Sequence, residues 1–187
     1  MEETLTYTAF VGETLIASGP LETMLPVVKT RFDGDAGALF LIFEDHSGRQ
    51  VDFDLRGAVN EVVARALPAP PRTGPGRPKL GVVSREVSLL PRHWDWLEQQ
   101  PNGASAALRR LVDEARKRDP GKERARLATA AAGRIISAIA GNLPGYEEAS
   151  RALYAADRAQ FEERILDWPH DIRAYVQRRV EDAFAKL

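Results

Sequence analysis

The chain has 187 residues, 44% of them hydrophobic and 28% charged, which suits a soluble globular protein of one large domain or two small ones. It contains no cysteine, so disulfides and thiolate metal sites are excluded. The formal net charge of −1 hides a segregation: residues 1–68 carry 5 Lys/Arg against 11 Asp/Glu, residues 69–126 carry 13 against 7, and residues 127–187 carry 8 against 9. A basic middle between acidic or neutral ends suits either a polyanion contact or packing on the acidic segment. No basic region followed by an apolar run opens the sequence, and no apolar stretch approaches the roughly 20 residues that span a bilayer. A cytoplasmic protein without membrane contact is therefore expected.

The expected fold class is α+β: a small N-terminal ββαββ unit, a central strand-helix-helix segment and an all-helical C-terminal third. In chain order, "TYTAFVGETLIASGP" predicts two short strands with a turn at Gly12–Glu13. "LETMLPVVKTRF" predicts a helix that is irregular before Pro26 or begins there. A hairpin follows, with an apolar strand at 38–43, a turn at His46–Gly48 and an alternating strand through Val51, Phe53 and Leu55. That alternation puts Asp52 and Asp54 on the opposite face, where they form either a solvated surface or a carboxylate pair for metal binding or acid-base work. His46, beside Asp45, reads as a polar loop residue. "AVNEVVARAL" closes a domain of residues 1–67 with a short amphipathic helix.

Residues 68–81, "PAPPRTGPGRPKLG", contain five prolines and three glycines, so they form a linker rather than a regular element. Within the linker, Gly76-Arg77-Pro78-Lys79 resembles the core of an AT-hook, whose Arg-Pro backbone lies in the narrow minor groove of A·T-rich DNA. Pro75 stands where that motif has its first arginine.

Residues 82–118 form the next domain. "VVSREVSLL" has strand propensity, Pro91 suits the first turn of a helix over 91–100, and Pro101-Asn102-Gly103 ends it. Trp94 and Leu97 share one face of that helix. Ser105 is placed to cap a second helix, with Leu108, Leu111, Val112 and Ala115 as its apolar stripe, before Asp119-Pro120-Gly121 stops it. So short a segment cannot bury two tryptophans and these leucines, and its single strand lacks a local partner.

The strand ending in Leu90-Pro91, the helix with Leu97, the Gly103–Ser105 turn and the Leu108/Leu111/Val112 stripe resemble the ribbon-helix-helix family of DNA-binding proteins. That resemblance implies a homodimer through strand 82–90, an antiparallel ribbon in the major groove of duplex DNA, and a phosphate held at the start of the second helix. It makes Asn102, Gly103 and Ser105 the phosphate anchor, with Arg85 and Ser88 available to face bases. In one register Leu90, Ser88 and Glu86 point inward, and in the other Val87 and Leu89 do. Neither register presents a row of polar readers, so backbone contact is expected to dominate, through Arg77, Lys79, Arg85, Arg92, Arg109 and Arg110. Arg116, Lys117 and Arg118 read as a solvated helix face.

The remainder, 119–187, reads as a helical domain. Leu127, Ala131, Ile135 and Ile139 mark one stripe, and the helix ends at Gly141–Pro144. Asp157 is placed to cap a helix carrying Phe161, Ile165 and Trp168, and Ile172, Tyr175, Val176 and Phe184 face inward from the last helix. Glu147, Glu148, Asp157, His170 and Asp171 match no metal-ligand spacing; Glu147–Arg151 reads as an i, i+4 pair, and Asp157 and Asp171 as helix caps. Phosphate-binding glycine loops, a nucleophile elbow and HExxH are absent, so neither a catalytic residue nor a cofactor is expected. Taken together, "DFDLRG", "GRPKLGVVSREVSLLPRHW" and "YEEASRALYAADRAQF" resemble an uncharacterised bacterial family of unknown function. The sequence therefore points to a dimeric DNA-binding regulator or nucleoid-type protein. Two alternatives remain: an antitoxin-like interaction module whose C-terminal helices grip a protein partner, and a small-molecule sensor or enzyme built on the α+β unit.

Overall fold

The computed structural model describes residues 5–35, 37–67 and 83–185. The protein is α+β, with strands β1 (Tyr7–Val11), β2 (Thr14–Gly19), β3 (Phe40–Glu44) and β4 (Arg49–Gln50). Its helices are α1 (Leu21–Gly34), α2 (Val59–Ala66), α3 (Pro91–Glu98), α4 (Gly103–Arg118), α5 (Pro120–Ala140), α6 (Tyr146–Tyr154), α7 (Arg158–Arg164) and α8 (His170–Val180). By compactness the chain divides into residues 1–68 with 121–187, and residues 69–120. The N-terminal sheet and the C-terminal helices, read from sequence as separate segments, thus share one unit.

The antiparallel sheet of that unit has strand order β2-β1-β3-β4. Strand alternation gives it two apolar faces. Tyr7, Ala9 and Ile42 join Met24, Leu25 and Val28 of α1 and Val62 of α2 in one buried cluster. Phe10 and Phe43 join Ile135 and Ile136 of α5, Leu153 of α6, Phe161 of α7, and Ile172, Tyr175 and Val176 of α8 in the other. Burial of each of these phenylalanines contributes about 1.5–3 kcal/mol. Leu15 and Ala17 would share a face in a regular strand. The register shift between Ala9 and Phe10 sets Leu15 with the second cluster and Ala17 with the first.

Three expectations for this half need correction. The first helix runs unbroken from Leu21, five residues before Pro26, so the proline lies inside it. The hairpin ladder stops at Gln50, although Val51, Phe53 and Leu55 still turn inward while Asp52 and Asp54 stay exposed. One further backbone bond, from the Val51 N–H to the Ile42 carbonyl at 2.9 Å, follows β4, and side-chain alternation runs on past it to Leu55. In α5 the buried stripe is Ala131, Ala132, Ile135, Ile136 and Ala140, which leaves Leu127 exposed. Gly48, at φ +65°, closes the β3–β4 turn; a Cβ there would lie 2.1 Å from the carbonyl oxygen of Ala131.

The central unit is thinner. Residues 83–90 are extended without a ladder partner among the described residues and lead into α3; the strand expected over 82–90 is one that pairs with a second chain. Helix α3 packs on α4, yet within these two helices only Leu97 and Ala107 are buried. The expected stripe is not covered: Leu108 is half-buried, and Leu111, Val112 and Ala115 are exposed. The reason is size, because two short helices offer each other too little apolar area to enclose tryptophans.

Candidate functional site

Exposed apolar side chains concentrate in the central unit. Of the fourteen large ones among the described residues, seven lie in 83–112: Val83, Val87, Leu90, Trp94, Trp96, Leu111 and Val112. Such a concentration is a common feature of interaction surfaces. Arg85, Ser88 and Arg92 are exposed along the same segment. Arg109 is exposed and donates from Nε to the Ser105 carbonyl oxygen at 3.2 Å. Arg110 is committed within its own unit, donating to Gln100 Oε1 at 3.3 Å and lying 3.8 Å from Glu114. Arg77 and Lys79, with the AT-hook-like tetrapeptide, lie outside the described residues.

The expected phosphate anchor has a different construction. Ser105 is not the cap: α4 begins at Gly103, with Asn102 as its N-cap residue, and Ser105 belongs to its first turn. Asn102 and Gly103 take successive left-handed conformations, φ 66° and +76°, which turn the chain sharply from α3 into α4. The Asn102 side chain makes no capping bond, and the Gly103 N–H is spent on the Gln100 carbonyl at 3.1 Å. A phosphate at this helix start would meet the amides after Gly103. Charge is also more dispersed than the segment totals suggest. Residues 83–120 carry seven Lys/Arg against six Asp/Glu. Part of the basic excess lies past them, where Arg124 pairs with Asp182 and Arg126 with Glu123, each at 2.7 Å.

The acidic candidates serve structure. Asp54 is exposed and held by Arg56 through Nε at 2.8 Å and Nη2 at 2.9 Å, which keeps its carboxyl well below the ordinary range. Asp52 and Asp54 sit on an open cleft of about 280 Å³ with Phe32, Phe40 and Phe53. Asp157 caps α7, accepting from the Gln160 N–H at 3.0 Å. Asp171 does not cap its own helix; it accepts the Leu15 N–H at 3.0 Å and so ties α8 to β2. That bond and His170 hold its carboxyl below the usual value. Arg151 pairs with Glu148, at 3.5 Å, rather than with Glu147. Among the described residues no three His, Asp or Glu side chains gather as a metal site.

Sequence reasoning missed the buried polar centre of the larger unit. Asp45, beside the His46 already considered, is buried at the end of β3. Its Oδ1 accepts from Thr8 Oγ1 and Tyr175 Oη, both at 2.9 Å, and its Oδ2 accepts from Thr6 Oγ1 at 2.7 Å. Thr8 also meets Ser18 Oγ at 2.9 Å. Arg179 Nη1 lies 3.9 Å from Oδ2, its guanidinium carbon is 5.8 Å from the Tyr175 ring centroid, and its Nε is buried with no hydrogen-bond partner. Burial first, then the Asp45 charge, raises the Tyr175 phenol far above its ordinary 10.0. With three hydroxyl donors in place, buried Asp45 fastens the sheet to α8. The only sequence signal was the pair Thr6 and Thr8, two positions apart on one strand face.

Comparison with known proteins adds the lineage. The family DUF2239, described as an uncharacterized protein conserved in bacteria, matches residues 6–180, and the chain belongs to it. No ribbon-helix-helix family matches residues 82–118. No curated protein and no solved structure matches the chain. No described helix is long and apolar enough to cross a membrane.

Proposed function

We propose that the protein works as a homodimer assembled through residues 83–112, and that this dimer docks on duplex DNA mainly through phosphates. One observation carries the reading: Val87, Trp94, Trp96, Leu111 and Val112 are exposed on a unit that buries only Leu97 and Ala107 in its two helices, with Arg85, Arg92 and Arg109 exposed on the same segment. A second copy, pairing its own segment 83–90 with this one, supplies both the missing strand and the missing apolar cover. The resemblance of this segment to the ribbon-helix-helix family supplies that architecture.

The test is a gel shift at two salt concentrations, with sedimentation to give the mass. Three arginines per chain make six per dimer. Each phosphate contact contributes about −0.9 to the slope of log K against log salt, so the expected slope is about −5, steeper if Arg77 and Lys79 join. A monomer at micromolar concentration, or no salt-sensitive binding, overturns the proposal. The near balance of charge across residues 83–120 favours a second reading, in which the same dimer grips a protein. A dimer indifferent to DNA that co-purifies with a stoichiometric protein supports that one.

A further inference from the structure

The larger unit carries a second, independent site. A cleft of about 490 Å³ opens between the β3–β4 turn and helices α5 and α6, lined by Phe43, Arg49, Gln50, Gly133, Arg134, Ser137 and Tyr154 among others. We propose that this cleft binds a phosphate monoester carried on a planar ring, of the nucleoside monophosphate class.

Size, charge and shape agree on that ligand. The volume falls within the roughly 300–1,000 Å³ of small-molecule sites. Two guanidiniums line the cleft and no carboxylate does, which complements a group carrying about −1.5 to −2 charges near neutrality. Arg134 is already held in place: its Nε and Nη2 both donate to the Ser47 carbonyl, at 2.9 and 2.6 Å, which fixes the guanidinium plane and leaves Nη1 to donate to a ligand. The Arg49 guanidinium is held less tightly, lying 4.0 Å from Glu44. Gln50 and Ser137 add polar groups for orientation.

The aromatic wall depends on a glycine. Tyr154 is 64% exposed, and its hydroxyl lies where a Cβ on Gly133 would be, 2.2 Å away. The absent side chain lets the phenol ring lie across α5, where it lines the cleft. A tyrosine packed on α5 by its hydroxyl end yet 64% exposed suits a stacking surface for a ligand ring.

Titration calorimetry of the full chain with adenosine monophosphate, inorganic phosphate and adenosine tests the assignment. Saturable binding of the monophosphate, at least about tenfold tighter than either fragment, is expected. Arg134→Gln should weaken it by about tenfold or more, the loss expected for a charge-assisted hydrogen bond. Because Arg134 also pins the β3–β4 turn, Arg49→Gln and Tyr154→Ala serve as variants whose folding is not at issue; each should weaken binding severalfold. Arg158→Gln, outside the cleft, should not. No saturable binding of the monophosphate, or affinity unchanged by both Arg49→Gln and Tyr154→Ala, overturns the proposal. The dimer and DNA measurements concern residues 77–112, none of which lines this cleft, so either result leaves the other standing.

Discussion

Tyr175→Phe isolates the link between the sheet and α8. The substitution keeps the buried ring, which lies 5.3 Å from Phe10 and 6.2 Å from Phe43 between ring centroids, and deletes only the hydroxyl that donates to Asp45 Oδ1 at 2.9 Å. Asp45 retains Thr6 and Thr8 but loses the one hydroxyl donor that comes from a helix. Hydrogen bonds to charged groups contribute about 1.5–3 kcal/mol, so a loss in that range is expected. In urea, with a slope of about 1–3 kcal/mol per molar, the midpoint should fall by about 1 M while the slope stays constant. Circular dichroism follows this transition, because most of the helix lies in the larger unit. Alkaline pH gives a second readout. The folded phenol is raised above 10.0 by burial and by Asp45, so it keeps its proton longer folded than unfolded. The stability it contributes is therefore complete below pH 10 and declines as pH rises past it. The phenylalanine variant should show a flatter alkaline limb, the remaining slope coming in part from Tyr7, which is also raised. An unchanged urea midpoint together with an unchanged alkaline limb would refute the fastening role.

Three further outcomes follow from the same structure. Gly48→Ala places a Cβ 2.1 Å from the Ala131 carbonyl oxygen at a left-handed φ of +65°, so it should destabilise the larger unit by about 1–3 kcal/mol or more, read by thermal unfolding. Trp94→Ser combined with Trp96→Ser should shift sedimentation from dimer to monomer while the urea transition of the larger unit stays in place; loss of that transition would show that the tryptophans support the fold instead. Asp171→Ala removes the acceptor for the Leu15 N–H. Its carboxyl is lowered in the folded state, so its contribution is present above pH 3.8 and lost as pH falls through the folded value, and the variant should have a shallower acid limb.

Local physics made most of the fold legible. Strand alternation located β1, β2 and the inward row Val51, Phe53 and Leu55, and Gly141–Pro144 marked the end of α5. What escaped was everything set by distant residues. Nothing near Asp45 announces that Tyr175, 130 positions away, will donate to it. Arg134 and Ser47 are likewise 87 positions apart, so the cleft they border has no linear signature. The capping expectation at Ser105 failed for a local reason. Consecutive left-handed residues at Asn102 and Gly103 open the helix three positions earlier than a serine cap at 105 would. The strand expected over 82–90 is one that pairs with a second chain, and within one chain residues 83–90 join no ladder among the described residues.

The uncovered surface of residues 83–112 acquires its meaning from how the sheet manages its own edges. One edge is β4, only two residues long, so it offers too little ladder to recruit another chain. The other is β2, where the register shift against β1 interrupts a regular template. The larger unit thus fills both faces of its sheet with helices and blunts both edges. The segment 83–112 does none of this: its extended stretch has no ladder, and both its tryptophans face outward. Half of the large exposed apolar side chains among the described residues lie on this one short segment, which is why association is proposed there rather than on the sheet. On the proposed reading, covering Trp94 and Trp96 supplies the apolar part of the binding and the arginine contacts add to it.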